Sequence, residues 1–241
     1  MEDSRPRFLD DVTVELVKHS ASDSDVLWAA RVSTAGEQSI EEINKDPERS
    51  KGLINFLMRD RHGTPFEHNS MTFLVKAPIF VFREFQRHRV GWSYNEESGR
   101  YRELQPDFYI PGPERKLVQE GRPGKYVFVD GTEKQHKIAV EVMESAYRSS
   151  YEAYREMLEA GIAREVARAV LPVGLFSSMY ATCNARSLMH FLSLRTKSEQ
   201  AKVPSFPQRE IEMVAERMEA AWAGLMPLTH AAFVANGRVA P

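Results

Sequence analysis

The spacing of apolar positions divides the chain into a few strongly patterned stretches. VTVELVKH at 12–19 alternates apolar and polar residues and predicts a strand; MTFLVKAP at 71–78 and LFSSMYATC at 175–183 predict two more. Helices are predicted where apolar residues recur every three or four positions. A short one runs from a cap at Ser22 and Asp23 to Val32. Another begins at Pro47 and reaches residue 61, with Leu53, Ile54, Leu57 and Met58 as its stripe. Pro78 suits the first turn of a helix to about Arg89 that buries Val81, Phe82 and Phe85. The longest helix, 132–160, carries Met143, Tyr147, Tyr151, Tyr154 and Leu158 on one face, and Gly161 ends it. AREVARAVLP is helical up to Pro172, Asn184 caps ARSLMHFLSLR, and 207–225 presents Ile211, Val214, Met218, Trp222 and Leu225 before Pro227 breaks it. Residues 1–10 are polar and expected to fray, 36–46 is acidic and expected at the surface, and 102–131 reads as loop with short extended pieces.

Composition narrows this picture. A chain of 241 residues with 42% hydrophobic and 27% charged residues fits a soluble globular protein, with 1–241 as a single domain the simplest division. Net charge is −2, so the basic cluster at 83–102 is local. That suits a small anionic ligand and argues against nucleic acid as a partner. The lone cysteine, Cys183, excludes an intrachain disulfide. No apolar run approaches the roughly 20 residues that span a bilayer, and no signal peptide opens the chain, so no membrane association and a cytoplasmic location are expected.

The candidate chemistry is concentrated in RHRVGWSYNEESGRY at 87–101. It places Arg87, His88, Arg89 and Arg100 among Trp92, Tyr94, Tyr101, Ser93, Asn95 and Ser98, a set able to hold a phosphate and lay an aromatic base beside it. On an ideal helix Arg87 and Arg89 lie about 200° apart. Either the helix ends near His88 or the two arginines serve different groups. His62-Gly63-Thr64-Pro65-Phe66-Glu67-His68 is a helix-stop turn with more polar chemistry than a stop needs. A metal site there would need His62, Glu67 and His68, but adjacent Glu67 and His68 diverge on any regular element, so no metal is expected. Arg61-His62-Gly63 matches the triplet that opens a histidine phosphatase, yet it follows a helical stripe where that family has a strand. Glu165 and Arg168, three apart, make a surface ion pair in the simplest reading. Arg186 and His190 share a helix face beside the Asn184 cap, either as solvated surface or as an anion site at a helix start. A single-stranded nucleic-acid binder, stacking bases on Trp92, Tyr94 and Tyr101, is the main rival reading.

The 87–101 stretch resembles the signature of the flavin-dependent thymidylate synthases: an Arg-His-Arg triplet, a spacer, then Ser98-Gly99-Arg100-Tyr101. The spacer Val90–Glu97 is eight residues, one more than the family's seven, which a one-residue insertion near Trp92 accounts for. TPFEH at 64–68, REVARAVLP at 164–172 and NARSLMHFLSLR at 184–195 resemble the same family, in the same order. The resemblance implies an α+β fold with a central antiparallel sheet flanked by helices, and a homotetramer whose active sites draw on more than one subunit. It implies reductive methylation of dUMP to dTMP, with 5,10-methylenetetrahydrofolate as carbon donor and FAD, reduced by NADPH, as hydride donor. No G-x-G-x-x-G follows a strand, so FAD is not expected in a Rossmann crevice. By resemblance, FAD meets Ser33, Thr64, Glu67, Arg87, His88, Arg89, Glu96, Asn184, Arg186 and His190. The nucleotide meets Glu84, Gln86, Arg87, Glu97, Ser98, Gly99, Arg100, Arg168 and Arg195, and His62 stands where folate enters. Arg195 has the most chemical role, beside the uracil ring, and Cys183 has a structural one.

Overall fold

The computed structural model describes residues 5–36, 39, 42, 46–122 and 125–241; residues 1–4 and most of the acidic stretch 36–46 lie outside the described residues. In chain order the strands are β1 (Arg7–Leu9), β2 (Thr13–Ser20), β3 (Ser70–Pro78), β4 (Trp92–Glu96), β5 (Asp107–Tyr109), β6 (Val118–Arg122), β7 (Lys125–Val129) and β8 (Phe176–Cys183). The helices are α1 (Asp23–Ala35), α2 (Pro47–Arg59), α3 (Ile79–Phe85), α4 (Glu133–Glu159), α5 (Arg164–Ala167), α6 (Ala185–Arg195), α7 (Arg209–Leu225) and α8 (Pro227–Ala235). Single turns of 3-10 helix occupy Thr64–Glu67 and Arg168–Val170. The class is α+β with an antiparallel sheet.

These elements gather into two compact units. The first comprises the chain up to Val12, Lys76–Arg83 and Glu96–Ser178; the second comprises Thr13–Val75, Glu84–Asn95 and Met179–Pro241. The chain therefore passes from one to the other at 12/13, 75/76, 83/84, 95/96 and 178/179.

In the first unit β1 and β5 pair in parallel, Phe8 opposite Phe108. Residues 7–9 are thus not frayed: buried Asp107 accepts from Arg7 Nε and Lys76 Nζ, both at 2.5 Å. The passage read as loop contains the antiparallel hairpin β6–β7. A capping box of Thr132 and Gln135 starts α4, whose Tyr151 and Tyr154 pack with Leu104, Phe108, Ala167 and Leu175.

The four-stranded sheet has the order β2-β3-β8-β4, and the second unit holds β2 and most of β3, β8 and β4. Alternate residues of β3, among them Met71, Phe73 and Val75, are fully buried, and the Thr72 and Thr182 hydroxyls lie 2.9 Å apart. Helix α7 packs on β2 and α6, and α8 packs on α2 and α7. Leu225 is only half-buried; Met226 closes the stripe instead, its sulfur accepting from the Trp222 indole N–H at 3.3 Å. Pro227 starts α8 rather than merely ending α7, because its fixed φ and missing N–H suit a first helical turn.

Candidate active site

Helix α3 stops at Phe85, four residues before the expected end. The Arg87 and His88 N–H groups close tight turns onto the Glu84 and Phe85 carbonyls, at 3.2 and 2.8 Å. The Tyr94 hydroxyl then sits 3.0 Å from the Phe85 carbonyl and 2.8 Å from that of His88, sharing its one proton between them. Gly91 has φ 69°, a left-handed conformation, and a Cβ there would collide with Ser187 Oγ, which donates to the Val90 carbonyl at 3.0 Å. The Arg-His-Arg loop is thereby stitched to the first turn of α6. The early stop resolves the arginine geometry: Arg87 and Arg89 leave a turn, both exposed, as is Gln86, and neither arginine forms an ion pair among the described residues.

Arg195 closes α6, whose Leu188, Phe191 and Leu192 are buried. Its Nη1 pairs with the Glu84 carboxylate, and its Nε donates to His88 Nε2 at 3.1 Å. That donation requires a lone pair on Nε2, which assigns the His88 proton to Nδ1. Burial, then the charges of Arg195 and His190, push His88 down to about 4, so its imidazole is neutral near pH 7. Burial holds Glu84 above the usual carboxylate range, with Arg195 opposing and Glu210 reinforcing. Phe191 packs edge-on against the His88 ring at 4.9 Å and stacks on Phe85 at 4.8 Å.

A second cationic group lies at the other end of α6. Asn184 caps the helix as expected, accepting from Ser187 N–H at 2.9 Å, and Asn69 Oδ1 accepts from Ala185 N–H at 2.8 Å. Two of the first N–H groups are satisfied by side chains, so anion binding here rests on Arg186 more than on the helix start. Arg186 Nη1 meets Glu67 at 2.5 Å and its Nε donates to the Pro241 carbonyl at 2.7 Å. Gly63 lies against the face of the guanidinium, where a Cβ would collide. His190 is pushed down by partial burial, then by Arg186 and Arg61.

Ser33, His62 and Thr64 line one cavity of about 420 Å³ with Arg31, Phe56 and His68. The His62 ring lies 5.5 Å from that of Phe56, and His68 packs edge-on to Trp28. Among the described residues no three metal-ligating side chains converge.

The remaining predicted residues belong to the first unit. Burial raises Glu96, the nearby Ser177 hydroxyl opposing and the Glu97 charge adding to the effect. Arg102 pairs with Glu97 at 3.3 Å, and Ser98 Oγ accepts from Arg100 N–H at 3.3 Å. Gly99 is buried tightly: a Cβ there would lie 2.9 Å from Leu104 Cδ1 and 3.2 Å from Arg168 Cδ. Glu165 pairs with Arg100 at 2.8 Å rather than with Arg168, which is half-buried and forms no ion pair among the described residues. Of the three aromatic platforms, Trp92 and Tyr94 stack on each other at 5.7 Å and pack against Phe85, while Tyr101 is exposed.

The second unit therefore holds Ser33, His62, Thr64, Glu67, Glu84, Gln86, Arg87, His88, Arg89, Asn184, Arg186, His190 and Arg195; the first holds Glu96, Glu97, Ser98, Gly99, Arg100 and Arg168. Sequence reasoning missed Asn69, Arg61 and Ser187. The last two stood inside quoted motifs, but their partners are 179 and 97 residues away, a separation that local patterning does not register.

A family model described as thymidylate synthase complementing protein matches residues 15–228, taking in residues of both units. The flavin-dependent thymidylate synthase of Streptomyces avermitilis is 80% identical over 240 residues, covering 100% of this chain and 98% of the relative. That of Streptomyces coelicolor is 76% identical with the same coverage. The crystal structure of a UMP/dUMP methylase from Streptomyces cacaoi bound with 5-Br UMP matches at TM-score 0.90 and 56% identity, covering 98% of this chain and 100% of that one. By the family model, by identity along the whole chain and by backbone, this chain belongs to the flavin-dependent thymidylate synthases, the family of thymidylate synthase complementing proteins.

Proposed function

We propose that the protein converts dUMP to dTMP by reductive methylation, with 5,10-methylenetetrahydrofolate as carbon donor and FAD reduced by NADPH as hydride donor. The observation that carries the reading is the Arg195 guanidinium, held between Glu84 and a neutral His88 at the base of the Arg-His-Arg loop. Set beside the N3–O edge of a uracil, that fixed cation would stabilise negative charge in the ring and make C5 a better nucleophile. Its partners keep it from swinging away, so little reorganisation accompanies reaction. Half-buried Arg168, with Ser98, Gly99 and Arg100, would hold the nucleotide phosphate, joined by Arg87 and by Glu84, Gln86 and Glu97 at the sugar and base.

The residues present fit a flavin dinucleotide. Gly63 offers bare backbone under Arg186, Arg61 adds charge nearby, and neutral His190 keeps donor and acceptor capacity beside them. Arg186, His190, Asn184, Glu67, Thr64 and Ser33 would hold FAD with Arg87, His88 and Arg89, and Glu96 would reach it across a subunit boundary. Bound there, FAD would supply the hydride that completes the methyl group. His62, on the rim of the cavity with Phe56, would meet the folate. The proposed assembly is a homotetramer acting in the cytoplasm; no helix among the described residues is long and apolar enough to cross a membrane.

UMP is a second candidate substrate, because the Streptomyces cacaoi relative is a UMP/dUMP methylase. Purified protein should be yellow, or load with FAD. With NADPH and methylenetetrahydrofolate it should methylate dUMP, with UMP as the competing test. A colourless protein that cannot be loaded, or no methylated product from either nucleotide, would sink the proposal.

A further inference from the structure

Two arginines adopt left-handed backbone, Arg61 at φ 65° and Arg238 at φ 55°, and among the described residues no other non-glycine residue does. A side chain with a Cβ is strained there, and glycine is the usual occupant just past a helix. After α2 Arg61 itself takes that place; after α8 Gly237, at φ 79°, takes it and Arg238 follows. After α2, His62 N–H reaches the Leu57 carbonyl at 2.9 Å; after α8, Arg238 N–H reaches that of Phe233 at 2.9 Å. Strain of this kind persists where surrounding contacts over-determine it, and it clusters at functional sites.

Both arginines meet in one short segment. Arg238 is nearly buried; its guanidinium donates to both Glu219 oxygens at 2.7 and 2.6 Å and to Thr196 Oγ1 at 2.8 Å. Its carbonyl accepts from Ser193 Oγ at 2.8 Å. Anchored there, the segment delivers two successive carbonyls to two cations: Ala240 accepts from Arg61 Nη1 at 2.9 Å, and Pro241 from Arg186 Nε at 2.7 Å. Glu67 holds Arg186 Nη1, and Gly63 covers the guanidinium face. Three sides of Arg186 are thus fixed, and Nη2 has no partner among the described residues.

We propose that Arg238–Pro241 is a positioning strap for the flavin site, holding Arg61 and Arg186 so that their outward N–H groups face the phosphates of FAD. Arg61 is thereby assigned to the site, where it sits close enough to Arg186 and His190 to act in one cluster. Glycine at 61 would relax the backbone but could not reach Ala240, which accounts for a strained arginine where glycine is the ordinary choice. The strap rests on the flavin reading above.

The test measures FAD affinity of flavin-free protein by flavin fluorescence, alongside its melting temperature. Deleting Ala240 and Pro241 should raise the Kd for FAD about tenfold, the scale of one charge-assisted hydrogen bond. In an Arg61→Gly, Arg186→Ala background the same deletion should add less than about twofold, since both contacts it removes are already gone. Pro241→Ala keeps the carbonyl and should bind FAD within about twofold of wild type. Arg61→Gly should weaken FAD about tenfold while the flavin-free melting temperature holds or rises, which a merely structural role would not produce. It perturbs no core and decides the matter should the deletion unfold the protein. Unchanged FAD affinity in Arg61→Gly, or a deletion effect that persists in full without both arginines, would overturn the strap alone. Wild-type protein that takes up no FAD would overturn the flavin reading with it.

Discussion

Arg195→Ala tests the division of the site between nucleotide and flavin. The lost guanidinium donates to Glu84 and to His88, and the side chains of Arg195 and Glu84 are 18% and 23% exposed. A charge-assisted bond contributes about 1.5–3 kcal/mol, and partial solvent screening favours the lower end, about 1.5–2 kcal/mol. In a chain of this size that is about 3–8 °C of melting temperature. The loss should depend on pH with a definite sign. Glu84 is already held above the carboxylate range by burial, and removing the cation that opposes burial raises it further. A carboxyl raised in the folded state costs stability only as pH climbs above its unfolded value, so the deficit is larger near pH 7 and fades near pH 4. His88 acts in the same direction: burial first and Arg195 second hold it down to about 4, which costs stability as pH falls from about 6.5. Without Arg195 that acid penalty shrinks. Turnover should fall about 10²- to 10³-fold, as for loss of a preorganised electrostatic group, with FAD affinity within about threefold of wild type. Arg186→Ala should do the reverse and weaken FAD about 10- to 150-fold. Melting curves at the two pH values, flavin titration and steady-state rates measure all of this. Equal loss of flavin in both variants, or an Arg195→Ala enzyme within tenfold of wild-type kcat, would refute the assignment.

Cys183 is 3% exposed and burial pushes its thiol well above the ordinary range, so a thiolate mechanism has no support in its surroundings. Cys183→Ala should keep FAD and turnover at a stability cost of about 1 kcal/mol; a folded, flavin-loaded variant without turnover would restore the thiolate route. A site shared between chains predicts about four times the 27.5 kDa chain mass in light scattering, and an active monomer at assay concentration would contradict it.

Strong local signals were legible from residue types alone. Asn184 caps α6, whose bounds match ARSLMHFLSLR, and α4 runs between Thr132 and Gly161 as its stripe and terminators require. Most of the misses come from partners distant along the chain. Three residues of β1 carry too little pattern to read as a strand, and they are held by Asp107, a hundred residues away. The early end of α3 depends on Tyr94, whose aromatic ring suggested ligand stacking when its hydroxyl is what the loop needs. Glu165 has an arginine at helical spacing yet pairs with Arg100. The family motifs pointed to Arg186 and Arg195, but nothing near them in sequence announces Glu84, Pro241 or Glu67 as the groups that orient them. The division into two units was invisible, because three of the five crossing points fall inside strands β3, β4 and β8.

Those crossings set a timetable for the nascent chain. Strand β2 lies at the edge of its sheet, and the helix that packs on it, α7, begins at Arg209, about 190 residues later. At ribosomal rates of roughly 5–20 residues per second, β2 waits roughly 10–40 s for its cover. An uncovered edge strand invites pairing with other chains, and Glu15, Lys18 and His19 along β2 are the polar side chains that discourage it. Neutralising Glu15 and Lys18 together should leave the finished enzyme little changed while lowering its soluble yield during synthesis.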